Sequence, residues 1–250
     1  MLLFELMNLG EGFKKYFEIV PALTDELRSE VFRIRHSVYC EELGWEPVRP
    51  DKQEKDAYDE HSLHCLIRSV SAGDYVGCTR LVLSPPGNLH HPLPFEKSCA
   101  DTLDRSIVDP RKLPRHTIAE FSRLAVVARY RRRKGEDKTA IAISDDSFGS
   151  KDQPRFPYLL VGLYLGTIEL AALHGIDTLF VLTEPRLASH LAKLGVRIQQ
   201  IGGPVEHRGT RVPSMMRVTS IISGLNFIVR PLYRVISEEV NKAVGLLEQN

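Results

Sequence analysis

Charged side chains interrupt several stretches of this sequence that are otherwise apolar. Glu120 and Arg123 lie within the run IAEFSRLAVV, and Arg80 lies within YVGCTRLVLS. Because a buried charge is costly unless it is paired, charged residues in such positions are usually found together in the fold. Three more charged residues lie beside apolar segments in the same half of the chain: Arg35, Asp56 and Asp59.

These acids and arginines allow two interpretations. In the first, they form a buried ion-pair network that only fixes the position of a loop. In the second, they line a charged cleft that orients a polar acceptor and takes up a proton. The residue types alone do not decide between the two.

Composition excludes several classes of protein. The 250 residues include 33 Lys plus Arg and 32 Asp plus Glu, which gives a net charge of +1, and 43% of the residues are hydrophobic. A general nucleic-acid binder needs a basic excess, and a disordered chain needs high net charge with few apolar residues. The sequence therefore predicts a globular protein, with one domain favoured over two.

The sequence also predicts a cytoplasmic protein without a metal. The N-terminus lacks the pattern of a secretory signal, and no apolar run approaches the ~20 residues of a membrane helix. His61 and His64 point to opposite faces of a predicted strand, and no zinc-ligand spacing is present. The cysteines show no C-x-x-C pair, so we expect buried, reduced thiols at Cys40, Cys65, Cys78 and Cys99.

Hydrophobic periodicity predicts strands that alternate with helices in a mixed α/β sheet. The spacing predicts amphipathic helices over about 25–42 and 230–248, and an apolar helix over about 157–174. Residues 46–60 are too charged for core and are interpreted as a loop, and 85–115 form a long excursion. Strands are expected over 16–20, 61–70, 75–84, 116–127, 176–183, 196–202 and 214–222.

A series of motifs extends over about residues 25–130. The motifs are Arg35, Tyr39 and Trp45, then Asp56-x-x-Asp59, Gly77-x-x-Arg80-Leu81, Phe95 and Glu120-x-Ser122-Arg123. Their order and spacing resemble those of the acyl-homoserine-lactone (autoinducer) synthases, a branch of the GNAT acyltransferase superfamily. The sequence resembles the PEP-CTERM/exosortase system-associated acyltransferases more closely still, through RIRHSVYCEELGWEP, YDEHSLHCLIR, GCTRLVL, AEFSRLAV and RPLYRVISEEV.

The sequence departs from the family pattern at two places. Phe121 replaces a residue that is usually small and hydroxylated, and the tail after residue 200 is long for an autoinducer synthase. The resemblance implies an α/β (α+β) GNAT-like fold, with a mixed, mainly antiparallel twisted sheet flanked by helices. It places the acyltransferase domain at 1–222 and a C-terminal helix, packed on the same domain, at 223–250.

The implied activity is transfer of an acyl group, expected to be fatty, from acyl-carrier protein or acyl-CoA to the amine of a small molecule or amino acid. No tightly bound cofactor is expected. One alternative is an acyl-homoserine-lactone synthase, which adds lactone closure after acylation. An alternative of another class is a catalytically idle GNAT-like binding protein in an exosortase or polysaccharide system.

The resemblance also implies roles for the motif residues. Glu120 is expected to be the base, with burial raising its pKa towards the working pH. It forms the catalytic set with Arg123 and Ser122, although no G-x-S-x-G elbow makes this serine a nucleophile. Because Glu120 and Arg123 are three residues apart, a β-bulge is needed for both to face one site.

The other motif residues are expected to bind or shape the substrates. Asp56 and Asp59 either bind the ammonium group of the acceptor or order the loop that covers it. The arginines are expected to hold those acids, or an acceptor carboxylate, by bidentate pairing. The residues assigned to substrate binding are Arg35, Tyr39, Trp45, Asp56, Asp59, Arg80 and Phe95.

A basic run follows the strand that carries Glu120. GNAT enzymes place a glycine-containing turn here to cradle the CoA pyrophosphate, and this sequence lacks that glycine pattern. A dense cationic patch suits docking of an acidic acyl-carrier protein, although a solvated loop without a partner remains an alternative. We do not expect the patch to bind nucleic acid. Its residues are Arg129, Arg131, Arg132, Arg133 and Lys134.

Overall fold

The computed structural model describes residues 9–88, 90–131, 157–184, 188, 191–192 and 194–247. Its helices are α1 (Leu9–Tyr16), α2 (Asp25–Arg35), α3 (Pro94–Ser98), α4 (Ala128–Arg131), α5 (Tyr158–Leu173), α6 (Val218–Gly224) and α7 (Arg230–Leu247). Its strands are β1 (Phe17–Pro21), β2 (Ser62–Ser69), β3 (Tyr75–Leu83), β4 (Ile118–Val126), β5 (Thr178–Thr183), β6 (Gln199–Gln200), β7 (Val205–Glu206) and β8 (Thr210–Arg217). None of the described helices is long and apolar enough to span a bilayer.

The strands form one sheet in the order β1-β2-β3-β4-β5-β8-β6, and β7 pairs with β8. The pairing of β4 with β5 is parallel, whereas the other described pairs are antiparallel. The strands expected over 61–70 and 75–84 form the hairpin β2–β3, and Gly73 in its turn has a φ of 74°. The predicted fold class, a mixed and mainly antiparallel sheet flanked by helices, is confirmed.

Helices cover both faces of the sheet. Ile67 packs into a large cluster with the apolar helix α5, whereas its neighbour Leu66 packs on the opposite face with Val31 of α2. Successive side chains of a strand point to opposite faces, so a strand buried on both sides has consecutive apolar residues. The core therefore lies in two layers, one on each side of β2, β3 and β4.

Three of the predicted elements are wrong in detail. The strand expected over 196–202 forms only at Gln199–Gln200, as β6. The helix expected over 25–42 changes after Arg35 into a π-helical segment, His36–Glu42, in which Leu43 N–H donates to Val38 O. The strand expected over 214–222 ends at Arg217, and Val218 begins α6. Val218 N–H donates to Asp177 O at this point, and the buried Val218 and Ile221 have helical rather than alternating spacing.

The C-terminal helix α7 packs against α1, α5 and the edge strand β1. Glu239 of α7 accepts a hydrogen bond from Ile19 N–H at 2.9 Å, which satisfies a backbone donor at the sheet edge. On the same helix, Asn241 donates to Glu169 of α5. Burial raises the pKa of Glu239 to about 7, although the Ile19 N–H partly opposes this increase.

Replacing Glu239 by Gln is therefore expected to stabilise the protein above neutral pH. A carboxyl group whose pKa is raised by folding stabilises fully only below its unfolded pKa, and this contribution is lost as the pH rises through about 7. At pH 8 the variant should gain about 1 kcal/mol in the free energy of unfolding, allowing for partial exposure. Urea titrations from pH 5 to pH 8 measure the difference.

The matched control is Glu238→Gln, which changes an exposed neighbour paired with Arg234 on the same helix. Its stability difference from the parent protein should not depend on pH between 5 and 8. A Glu239→Gln profile parallel to that of the parent would show that α7 does not bury this carboxyl group.

Candidate active site

The candidate site lies where β4 and β5 separate. Their parallel pairing runs from Ile118–Thr178 to Phe121–Val181, and β4 then continues beside β3. A cleft of about 250 Å³ opens at this point. The residues that line it are Tyr39, Trp45, Asp56, Tyr58, Arg80, Pro94, Ser98, Glu120, Phe121, Ser122, Arg123, Leu124, Val181, Leu182, His207, Arg208 and Arg211.

A β-bulge in β4 determines which side chains face the cleft. Two residues of β4, Arg123 and Leu124, oppose the single Thr79 of β3, and Arg123 has a φ of 53°. The extra residue changes the alternation of the strand, so Glu120 and Arg123 both line the cleft. The predicted bulge is confirmed.

Glu120 is the buried carboxyl group of this cleft. It is 4% exposed, and its Oε2 accepts a hydrogen bond from Phe95 N–H at 2.6 Å. Burial raises its pKa to about 7, although this N–H and the charges of Arg80 and Arg123 oppose the increase. A carboxyl group near its pKa at neutral pH can accept a proton there and release it again, as a general base requires.

The three arginines pair with acids from one charged segment. Arg35 donates to both carboxylate oxygens of Asp59, at 2.6 and 3.0 Å. Arg80 bonds Asp56 at 2.7 Å and Asp59 at 3.0 Å, and Arg123 bonds Asp56 at 3.1 Å. Burial opposes ionisation of Asp59, yet the bonds and charge of Arg35, the charge of Arg80 and the Asp56 N–H together outweigh it and hold the pKa of this carboxyl group well below its usual value.

The third acid of this network is Glu54, which the sequence reasoning missed. Glu54 is 1% exposed and accepts from Arg35 Nε at 2.5 Å. We expected Glu120 to complete the network and residues 46–60 to be too charged for core. Glu120 instead lies outside the network and accepts a hydrogen bond from the backbone N–H of Phe95. The charged segment folds inward, so that its own Glu54 carboxylate pairs with Arg35. Arg35 and Asp59 lie behind the cleft rather than in its lining.

Tyr39 and Trp45 form one wall of the cleft. Their rings stack with centroids 5.8 Å apart, and Tyr39 Oη donates to the carbonyl oxygen of Leu124 in the bulge at 3.0 Å. The π-helical segment therefore connects directly to the distorted part of β4. The guanidinium group of Arg123 lies 5.8 Å from the centroid of the Tyr39 ring.

Phe95 and Ser122 occupy different positions relative to the cleft. The ring of Phe95, expected in the pocket wall, is 1% exposed and stacks on Phe180 at 4.5 Å, outside the lining residues. Its backbone N–H reaches the site instead, through Glu120. Ser122 lines the cleft, and its Oγ accepts from Arg80 Nε at 3.2 Å.

A wall of the cleft that the sequence reasoning missed comes from the hairpin β7–β8. His207, Arg208 and Arg211 line the cleft from this hairpin. Arg208 has a φ of 54°, pairs with Glu46 and lies 5.6 Å from the centroid of the Trp45 ring. No short motif marks these residues in the sequence, since their role depends on a contact between distant parts of the chain.

The proposed carrier-docking run is described only at its start. Arg129 lies in α4 and pairs with Asp74 of the β2–β3 turn at 2.8 Å. The backbone of Arg131 ends this helix, and Arg132, Arg133 and Lys134 lie outside the described residues. The described part of the chain holds no group of His, Cys, Asp and Glu arranged to bind a metal ion.

Comparison with known families supplies the deciding observation. Residues 34–140 match the family model described as Acetyltransferase (GNAT) domain. The matched range contains the arginine network, the bulge and Glu120. The chain therefore has a GNAT-like fold.

Relatives of this chain include acyl-homoserine-lactone synthases. An acyl-homoserine-lactone synthase of Pseudomonas fluorescens is 24% identical over 197 residues, covering 77% of this chain and 81% of that relative. A similar solved structure is that of BjaI, a CoA-dependent acyl-homoserine lactone synthase, with SAM and isopentyl-CoA. Its TM-score is 0.54 at 19% identity, and the match covers 92% of this chain and 98% of the BjaI chain.

A second kind of synthase has the same fold. FeeM, an N-acyl amino acid synthase from uncultured soil microbes, has a TM-score of 0.53 at 13% identity and covers 84% of this chain and 94% of its own. The match to the GNAT model and the acyl-homoserine-lactone synthase relatives together show that this chain is an enzyme, an acyltransferase.

Proposed function

We propose that this acyltransferase moves an acyl group from the thioester of acyl-carrier protein or CoA to the primary amine of a small molecule or amino acid. The observation that carries the proposal is the buried Glu120 at the split between β4 and β5, with a pKa of about 7. The named activities of the relatives, which include acyl-homoserine-lactone and N-acyl amino acid synthesis, support the same class of reaction.

The proposed reaction begins with removal of a proton from the acceptor ammonium group by Glu120, directly or through water. The free amine then attacks the thioester carbonyl, so that the C–N bond forms and the C–S bond breaks. The nitrogen loses a second proton, and the thiolate leaves as a thiol after taking up one proton. Backbone N–H groups where the two strands separate are the proposed donors to the oxyanion.

The charged and aromatic residues have separate proposed roles. Asp56 binds the ammonium group of the acceptor, while Tyr39 and Trp45 shape its pocket. Ser122 and Arg123 complete the catalytic set by orienting the acceptor beside Glu120. Tyr58 Oη and Arg123 Nε support a polar acceptor, because both atoms are buried without a hydrogen-bond partner in the described part of the chain.

The arginine network has a supporting role in this proposal. Arg35 and Arg80 hold Asp59 and Asp56, so that the segment before β2 keeps its carboxylate at the cleft. Phe95 contributes through its backbone N–H.

We also propose that residues 1–222 form the acyltransferase domain and 223–250 its helical extension. The reaction would take place in the cytoplasm, in association with a PEP-CTERM/exosortase system.

A second candidate is acyl-homoserine-lactone synthesis, which the named activity of the Pseudomonas fluorescens relative favours. Its acceptor would be S-adenosylmethionine, and lactone closure would release methylthioadenosine. The same cleft and base would serve the acylation step. The two candidates differ in their products, because only the lactone reaction consumes the sulfonium compound.

The test is an assay of the purified protein with acyl-carrier protein and CoA thioesters of several acyl lengths. A panel of amino acids, polyamines and S-adenosylmethionine provides the acceptors. We expect amide products in mass spectra, with one thiol released for each amide formed. Thiol release without an amide or lactone would contradict the proposal and would favour a hydrolytic or idle protein.

We expect Arg131, Arg132 and Arg133 to dock acyl-carrier protein. Replacing all three by Gln should raise KM for the acyl-carrier-protein thioester about tenfold at low salt and reduce its salt dependence, because long-range attraction is screened by salt. Steady-state kinetics with the matching CoA thioester should show little change. The control is Arg111→Gln/Lys112→Gln, which removes exposed cations from a different loop. Equal KM values for the two variants would contradict docking through the basic run.

A further inference from the structure

The turn that holds Glu120 is a short helix in the long excursion between β3 and β4. Pro94 occupies the first turn of α3, where a missing N–H costs nothing, and Phe95 N–H has no partner within so short a helix. This N–H donates to Glu120 Oε2 at 2.6 Å. The position of α3 therefore determines whether the carboxylate keeps its backbone donor.

A buried ion pair fixes this turn from behind. Arg115 Nη2 donates to Glu96 Oε2 at 2.8 Å, and the two side chains are 8% and 7% exposed. The same Glu96 oxygen accepts from Leu93 N–H at 2.8 Å, and Arg115 Nη2 also donates to His91 O at 2.8 Å. The pair thus binds the backbone on the N-terminal side of α3 at two points.

We propose that the Arg115–Glu96 pair is a positioning device for Glu120, which acts by placing the Phe95 N–H against the carboxylate. The inference rests on the proposed function, since it assumes that Glu120 is the base. Neither side chain lines the cleft. Their role is therefore to hold the residue that meets the base, rather than to meet substrate.

Two effects of Glu96 on the pKa of Glu120 can be told apart, because its charge and its positioning of Phe95 N–H act in opposite directions. Arg80 on β3 and Arg123 on β4 lower the pKa of Glu120, whereas Glu96 on α3 raises it. Cys99, which follows α3, also interacts electrostatically with Glu120. Removing the charge of Glu96 would by itself lower the pKa of Glu120. Loss of the Phe95 N–H would raise that pKa, because the bond stabilises the charged form.

The test is the double variant Glu96→Leu/Arg115→Met. It removes both charges together, so no buried charge is left unpaired, and apolar replacement of such a pair is often tolerated. The bond from Phe95 N–H stabilises the charged form of Glu120, so its loss should move the acidic limb of the kcat profile up by roughly one pH unit. At pH 7 kcat should fall about fivefold, while KM for the amine changes less than about twofold.

Two further measurements make the result decisive. Arg111→Gln, which breaks the Arg111–Asp109 pair elsewhere in the excursion, should leave the pH profile unchanged. If the double variant does not fold, incorporation of phenyllactic acid at position 95 removes the same N–H and keeps the ring. The same upward shift is then expected. An acidic limb that stays in place or moves down would overturn the inference.

The outcomes for the base and for its positioning pair can be distinguished. Full activity of Glu120→Gln would contradict the proposed function itself, whatever the result for the double variant. Loss of activity in Glu120→Gln, together with an unshifted pH profile in Glu96→Leu/Arg115→Met, would contradict only the positioning role of the Arg115–Glu96 pair.

Discussion

Glu120→Gln is expected to reduce kcat for amide formation about 10²–10⁴-fold, the range that a positioned acid or base contributes. Glutamine preserves the shape of the side chain and can still accept the Phe95 N–H, but it cannot take the ammonium proton. The acidic limb near pH 7 in the kcat profile should disappear, because the group responsible for it no longer titrates. Single-turnover kinetics with saturating thioester measure the chemical step directly.

The control is Glu169→Gln, which changes another buried glutamate. Glu169 lies in α5 and bonds Tyr233 and Asn241 of α7, away from the cleft. This variant should keep kcat within about twofold of the parent value and retain the acidic limb. If Glu120→Gln kept the limb and full rate as well, the base would have to be another group.

Arg35→Met is expected to lower the free energy of unfolding by about 3–5 kcal/mol, the usual cost of removing one partner of a buried ion pair. Arg35 is fully buried and bonds both Glu54 and Asp59, so its loss leaves two buried carboxylates without their main partner. Urea unfolding followed by circular dichroism measures the change.

The matched control is Arg33→Met, two residues earlier on the same helix. Arg33 pairs with Glu30 on an exposed face, where an ion pair contributes about 0–1 kcal/mol. The difference between the two variants should shrink below pH 4. In the parent protein Arg35 lowers the pKa values of Glu54 and Asp59, so the stability from these groups is present above their unfolded pKa values and is lost in acid. Equal losses in Arg35→Met and Arg33→Met would show that the network does not support the fold.

Much of the fold follows from patterns that sequence alone displays. Apolar runs marked the strands that carry Arg80 and Glu120, and the three-residue spacing of Glu120 and Arg123 required a bulge if both were to face one site. These features are local, because they depend on period and spacing within one strand. The cost of burying charge also predicted correctly that the arginines would be paired.

The remaining features depend on contacts that sequence patterns do not show. Glu54 lies in a charged segment that resembles a surface loop, and only the tertiary fold brings it to Arg35. Phe95 has an apolar side chain typical of a pocket wall, yet its contribution comes from the backbone. The π-helical segment was missed because its apolar spacing also fits an ordinary α-helix.

The contact between Arg208 and the Tyr39–Trp45 wall has a consequence for the order in which the site is completed. The base, the bulge and the arginine network all lie before residue 127, whereas this side of the cleft comes from a hairpin near residue 208. Domains generally fold as units, so the cleft is complete only after β5 and this hairpin, which both follow the base along the chain, have been synthesised. Because the hairpin contributes to the wall and not to the base, we expect its exchange between related chains to change which acceptor binds while Glu120 keeps its bond from Phe95 N–H.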